Sequence, residues 1–267
     1  MNRNITELGP REAEFLAQMA SQTSMSFTIH EAVGFWRSRE RAREKLSHLV
    51  RKGWLERIER GKYLIIPLEA GPKRQWSENP LLIANMLAQP AVIAYWSAIR
   101  YWNWTEQLPR ITYIQTTQRK NTPRKKVMGT QFEIVTVPKA KFFGHIKRWE
   151  GSISCWVTDK EKTLIDCASD VIRSGSIEEL IKAVSSGAQE IDFVKLTHYA
   201  SQFPNGAVKK RLGYLFEQSG RELSQEGKNM LLEWQNGLTK GISPLMPGGP
   251  ESGNIVTKWR LHVNVEV

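Results

Sequence analysis

The chain has 267 residues, with 38 Lys and Arg against 27 Asp and Glu, a formal net charge of +11 and 40% hydrophobic residues; this composition excludes a wholly disordered chain, and the length makes two domains the expectation. No apolar run approaches the roughly 20 residues of a membrane helix, the start MNRNITELG lacks the apolar stretch of a signal peptide, and two cysteines, Cys155 and Cys167, are too few for a disulfide scaffold or a Cys-rich zinc site. The reading is a reduced, cytoplasmic protein with a pI near 9.7, expected to meet polyanions or an acidic partner and no membrane.

Gly9-Pro10 opens a helical pattern, REAEFLAQMASQ, with Phe15, Leu16 and Met19 on one face. Thr28 to Phe35 predicts a short second helix, with Thr28 as N-cap and Glu31 completing a capping box. Ser38 to Lys52 predicts a third helix, with Ala42, Leu46, Leu49 and Val50 as its buried stripe and Gly53 as its stop. Trp54 to Ile66 reads as two short strands turning at Arg60-Gly61. Three helices followed by a β-hairpin is the layout of a winged helix-turn-helix.

Residues 37–62 hold ten basic and four acidic side chains. Opposite the apolar stripe of the third helix lie Arg37, Glu40, Arg41, Glu44, Ser47, His48 and Arg51. A recognition helix needs long donors near its N-terminal turns to reach base edges, and Arg37, Ser38 and Arg41 are placed for that. Arg57, Arg60 and Lys62 on the wing are expected to take phosphates. Arg39, Lys45, His48 and Arg51 complete the candidate DNA-contacting set. A small helical unit that uses the same topology to bind protein is the bland alternative, and Glu40 and Glu44 count towards it.

Residues 67–80, PLEAGPKRQWSENP, form the best boundary candidate. The expected division is a DNA-binding domain over 1–70, a linker over 71–80 and a second domain over 81–267. The expected class is α+β, the second domain being mixed α/β with a small, mostly antiparallel sheet and flanking helices. Leu81 to Leu87 and Ala91 to Trp102 read as helical, with Tyr95, Trp96, Trp102 and Trp104 as core or as base-stacking aromatics. Strand-like runs follow at Arg110–Thr117, Thr130–Val137, Lys141–Ile146 and Ser152–Val157. Between the first two lies RKNTPRKK, a basic hairpin loop that is either a solvated face, a phosphate contact or a dock for an acidic surface. Thr158 with Glu161 and Ser176 with Glu179 read as helix starts, and Ala207–Ser219 and Ser224–Gln235 as helices. The end, KWRLHVNVEV, alternates Trp259, Leu261, Val263 and Val265 with polar residues and reads as a strand of the second domain's sheet.

Phosphate-cradling glycine motifs, HExxH and GxSxG are all missing, and the five histidines are scattered. Asp159-Lys160-Glu161-Lys162 approaches a nuclease carboxylate set, but Glu161 and Lys162 are adjacent, and the segment suits a helix start. No catalytic residue, metal ligand or cofactor is expected.

Five segments in order are similar to the AbiEi family, antitoxins of type IV toxin–antitoxin, abortive-infection (phage-defence) systems. GWLERIERGKYLI resembles the family's segment through Gly53, Leu55, Arg57, Arg60, Gly61 and Tyr63. AYWSAIRYWNWTEQLP (within 91–109), VTDKEKTLIDC (157–167), VKKRLGYLFEQSG (208–220) and the closing KWRLHVNV resemble later ones; Trp96 and Trp104 depart from the pattern. The resemblance implies a winged helix that binds operator DNA and represses its own operon. It also implies a second domain that neutralises a nucleotidyltransferase-like toxin, in a family where no stable complex is required. For antitoxicity the candidates are the basic loop, Arg119, Lys120, Arg124, Lys125 and Lys126, and the helix start at Lys209, Lys210 and Arg211. The rival readings are an ordinary winged-helix regulator with a ligand-sensing or dimerisation domain, and a nuclease or RNA-modifying enzyme.

Overall fold

The computed structural model describes residues 8–21, 26–70, 80–150 and 153–266. Almost all of the expected linker, 71–80, lies outside them. The N-terminal unit runs α1 (Pro10–Ala20), β1 (Ser26–Thr28), α2 (Ile29–Trp36), α3 (Arg39–Lys52), β2 (Leu55–Glu59) and β3 (Lys62–Ile65). Its local signals do what they predict. The Glu31 carboxylate accepts from the backbone N–H and the hydroxyl of Thr28, at 2.6 and 2.7 Å, and fixes the entry of α2. Ser38 Oγ accepts the Arg41 N–H at 3.4 Å and starts α3, and Gly53, at φ 78°, ends it. Phe15, Phe27, Leu46, Leu49 and Tyr63 fill the core between helices and wing.

The three-stranded sheet is antiparallel, in the order β1-β3-β2. Its strand β1, three residues long, went unread because it merges with the helix cap. In β2 the register slips between Arg57 and Glu59, a bulge at Ile58. Tyr63, Leu64, Ile65 and Ile66 are all buried, so the wing is covered on both faces. Tyr63 and Ile65 face their own helices, whereas Ile58 and Leu64 share a cluster with Ile83, Leu87, Phe132 and Ile134 of the second unit.

The second unit continues with α4 (Pro80–Leu87), β4 (Val92–Ile93), α5 (Tyr95–Tyr101), β5 (Ile111–Thr116), β6 (Arg124–Val127), β7 (Thr130–Thr136), β8 (His145–Glu150) and β9 (Ile153–Thr158). These strands form one sheet in the order β6-β7-β5-β4-β9-β8. It is mixed: β5 and β7 run parallel, as do β4 and β9, and the other three pairings are antiparallel. The helices α6 (Lys160–Ser169), α7 (Ile177–Gly187), α8 (Phe193–Gln202), α9 (Ala207–Gln218) and α10 (Gln225–Asn236) pack with α5 around a second core containing Leu164, Leu180, Leu212 and Trp234. A small sheet of β10 (Ser243–Pro244), β12 (Leu261–Val263) and β11 (Asn254–Val256) closes the chain.

Four expectations need correction. The helix expected over Ala91–Trp102 is broken, because Val92 and Ile93 are buried as a central strand and only Tyr95–Tyr101 is helical. The run Lys141–Ile146 is no single strand: a 3-10 turn at Lys139–Lys141 precedes β8, which starts at His145. Helix α6 is capped by Asp159, whose Oδ1 accepts the Lys162 N–H at 2.8 Å, while the Thr158 hydroxyl pairs with that of Thr163. The closing alternation yields only β12, outside the large sheet, because Trp259 sits in a 3-10 turn and is buried against α9. Gly213 makes that fit possible, since a Cβ there would lie 2.2 Å from the Trp259 ring.

Candidate nucleic-acid interface

Between α3 and the wing lies an open groove of about 760 Å³. Arg39, Arg43, Ser47 and Arg51 reach it from α3, and Arg57 and Arg60 from the wing. The four α3 positions recur every four residues, so they form one row along the helix edge nearest the wing. All five arginines are exposed. Among the described residues none of them pairs with a carboxylate. Five guanidiniums that repel one another around a concave surface favour a polyanion in it.

The sequence-predicted residues divide into three groups. Arg39, Arg51, Arg57 and Arg60 line the groove, and Arg43, absent from the expected set, joins them. Its four-residue spacing from Arg39 was the signal that could have found it. Arg37 and Arg41 are exposed but stand outside the groove; Arg37, at φ 58°, forms the turn between α2 and α3. Ser38 is the helix cap, and its hydroxyl also donates to Glu40 Oε2 at 2.9 Å.

The third group is turned elsewhere. Lys45 and His48 face α1, where they lie 3.7 and 3.4 Å from Glu12, with Lys52 at 3.0 Å. Burial raises the Glu12 carboxyl, but the hydrogen bonds from Lys52 and the Gly9 amide, with the charges of Lys52 and His48, outweigh it and hold it below the usual value. The two residues therefore tie α3 to α1. Lys62 donates to Met86 O at 2.8 Å and lies 3.6 Å from Glu59. It borders the groove, but its ammonium is engaged in the contact with the second unit. Glu40, one of the two acidic residues on the reading face, is held below the ordinary carboxylate range by its own backbone amide, the Ser38 hydroxyl and then the nearby Arg43 and Arg39. It serves the helix start.

The basic segment 119–126 is part strand. Lys125 on β6 donates to Glu59 of the wing at 2.7 Å, and Lys120 lies 3.8 Å from the same carboxylate. Burial raises the Glu59 carboxyl, and Lys125, Lys120 and Lys62 together bring it below its usual value. Arg124 pairs with Glu133 at 2.9 Å, and Glu133 also meets Arg173 at 2.8 Å. Arg119 and Lys126 remain exposed. The second expected basic surface is largely internal. Lys210, 1% exposed, donates to Gly241 O and Ser243 Oγ at 2.7 and 3.3 Å. Arg211, 4% exposed, donates to Ala168 O and Pro244 O at 2.7 and 3.0 Å, and burial lowers its pKa to about 10. Both tie α9 to neighbouring segments, which leaves half-buried Lys209 as the outward cation there.

Apart from half-buried Lys160, the charges of VTDKEKTLIDC are likewise internal. Asp159 caps α6 and accepts from Tyr199 Oη at 2.9 Å; Glu161 accepts the Asp192 N–H at 2.9 Å; Lys195 bridges both carboxylates at 3.0 and 2.8 Å. Lys162 and Asp166 form a buried ion pair. Among the described residues no group of three or more His, Cys, Asp or Glu is arranged to hold a metal ion, and no helix is long and apolar enough to cross a membrane.

Three helices, a β-wing and an arginine row between them define the N-terminal unit as a winged helix-turn-helix. Residues 27–66, from β1 through the wing, match the family model described as "Transcriptional regulator, AbiEi antitoxin". The segment is therefore similar to the AbiEi regulators, as its resemblance implied, which supports a DNA-binding antitoxin in general terms. The whole fold is similar to that in the crystal structure of the RV2827C protein from Mycobacterium tuberculosis, with a TM-score of 0.71 and 14% identity over 97% of this chain and 93% of that one. No curated protein sequence matches the chain.

Proposed function

We propose that this chain is the antitoxin of a type IV toxin–antitoxin pair active in abortive infection. The N-terminal unit (1–70) binds operator DNA in the cytoplasm and represses its own operon. The second unit (81–267) neutralises a nucleotidyltransferase-like toxin encoded beside it. The observation that carries the DNA half is the groove lined by Arg39, Arg43, Arg51, Arg57 and Arg60 within a segment that matches the AbiEi regulators. In this reading the α3 row enters a major groove and Arg57 and Arg60 meet the adjoining backbone. The antitoxin half rests on the family resemblance, with Arg119, Lys126 and Lys209 as the outward cations left to it.

The test has two arms. Full-length protein should shift a duplex taken from upstream of its own gene, and the Arg43→Ala/Arg57→Ala variant should not; equal shifts would remove the groove from DNA binding. Co-expression with the adjacent reading frame should rescue growth. An operator binder that gives no protection against its neighbour is an ordinary winged-helix regulator.

A further inference from the structure

Two tryptophans stand out of the second unit on one hairpin. Trp149 on β8 is 64% exposed and Trp156 on β9 is 45% exposed. Tryptophan has a large apolar surface to bury, so two exposed side by side mark a surface that meets something. The β8–β9 ladder pairs Lys147 with Trp156 and Trp149 with Ser154. Lys147, Trp149 and Trp156 therefore share one sheet face, with the rings in diagonal positions. Lys147 Nζ lies 4.9 Å from the Trp149 ring centre. Nearby, Trp102 donates its Nε1 to Thr158 O at 3.1 Å and carries Arg148 and Lys160 over its ring, at 5.8 and 5.4 Å. Lys160 is paired with Glu190 at 2.8 Å, whereas Lys147 and Arg148 have no carboxylate partner among the described residues.

We propose that this edge of the sheet is a binding platform for single-stranded nucleic acid, with Trp149 and Trp156 stacking unpaired bases and Lys147 beside them meeting the phosphates, while Arg148 points to the opposite face of β8. Indole rings beside an unpaired cation suit a single strand, because each base offers a π-face and each step a negative charge. A duplex keeps its base faces stacked inside and cannot use them. A second copy of this chain would bring the same cations face to face and be repelled. Protection of an edge strand against pairing accounts for lysine and arginine on β8 but not for two exposed indoles. The site lies outside the arginine groove and does not depend on the operator reading. It reads ring faces and charge, so DNA and RNA strands should bind alike.

The experiment uses the full chain and labelled oligo(dT) and oligo(rU) of about 15 nucleotides, enough to span such a site. Both should bind and quench tryptophan fluorescence. Trp149→Ala/Trp156→Ala should weaken both by at least about tenfold, with an unchanged melting curve. Lys147→Glu should weaken them with a shallower salt dependence, and Lys228→Ala, on α10, should leave them unaffected. Absence of binding by the unaltered chain, equal binding by the tryptophan variant, loss on Lys228→Ala alone, or a preference above tenfold for one sugar would each overturn the proposal. So would a dimer in sedimentation that the tryptophan variant abolishes, or loss of a bound protein while oligonucleotide binding persists.

Discussion

In the winged-helix unit Arg39, Arg43, Arg51, Arg57 and Arg60 are exposed around a groove without carboxylate partners, while in the second unit Lys162, Lys210 and Arg211 are buried and each donates to a protein acceptor. Written as sequence, RERAREK and VKKRLGYL look equally basic. Desolvation separates them: a buried cation survives only where its donors end on acceptors, whereas an exposed one keeps its water and its long-range field. The lesson is that a charged motif that resembles a family's can mark packing. Here the buried charges of VTDKEKTLIDC hold α6 in place, and the unpaired arginines of α3 and the wing face outward.

The comparison breaks most directly at Asp166. One of its oxygens meets Lys162 Nζ and the other accepts from Gln115 Nε2 at 2.8 Å, all within the protein interior. Asp166→Ala strands the Lys162 ammonium between Phe143 and Phe203, whose ring centres lie 5.1 and 5.5 Å away. The expected loss is about 3–5 kcal/mol in urea unfolding. Arg43→Ala should change the same measurement by less than about 0.5 kcal/mol. A loss below about 1 kcal/mol at Asp166 would mean that the buried charges are not structural.

His145 sharpens the contrast through pH. Its Nε2 is buried without a hydrogen-bond partner among the described residues. Burial first, and the Lys162 charge second, push its pKa down from 6.5 to about 4. The folded state thus holds a neutral imidazole where the unfolded chain would take a proton. The stability this confers is present above about pH 6.5, is lost as pH falls towards 4, and is bounded at about 3 kcal/mol. His145→Phe should flatten that part of the stability profile measured between pH 7 and 4. An identical profile in the variant would place His145 in contact with solvent.

On the exposed side, Arg43→Ala should cost about 1–3 kcal/mol of operator affinity if the side chain reads a base. Lys45→Ala, whose charge is turned to Glu12, should cost far less in the same gel-shift series. If Lys45 proved the stronger, the recognition helix would present its other edge to DNA.

Much of the winged helix was legible because its signals are local: caps at Thr28 and Ser38, the Gly53 stop, the Leu46 stripe and the Arg60-Gly61 turn. The arginine groove was half legible. The helical repeat gives one exposed arc, but which edge of it faces the wing depends on how α3 packs on α1, and that decided Arg43 against Lys45 and His48. In the second unit the errors came where long-range pairing overrides a local pattern. Val92 and Ile93 become a strand only because β5 and β9 flank them. Lys125 looks like a loop cation until Glu59, distant in sequence, is brought to it. No periodicity marks Lys210 and Arg211 as internal, since their acceptors come from Gly241, Pro244 and Ala168.

The smallest expected effect lies where the two regions meet. Glu59, at the end of β2, gathers Lys125, Lys120 and Lys62, and beneath it Ile58 and Leu64 enter the second unit's core. The carboxylate and Lys125 are mostly but not wholly shielded, with 17% and 18% of their side chains exposed. Their pairing therefore falls between a screened surface pair and a buried one. Glu59→Gln keeps the shape and one acceptor but loses the charge, and should destabilise the chain by about 1 kcal/mol. A double-mutant cycle with Lys125→Met should return a coupling of similar size. Because the Glu59 carboxyl is held below its usual value, this contribution is fully present above about pH 4.5, shrinks below it and is gone once pH has fallen through the lower folded-state value. Zero coupling would leave the wing attached by Ile58, Leu64 and the Lys62 hydrogen bond to Met86 O. A measurable one moves Lys120 and Lys125 out of the set available to a toxin, since reversing their charge would set like charges against Glu59 and loosen the wing. Charge reversal aimed at antitoxicity then belongs at Arg119 and Lys126, where a fall in protection without a fall in melting temperature would report on the partner rather than on the fold.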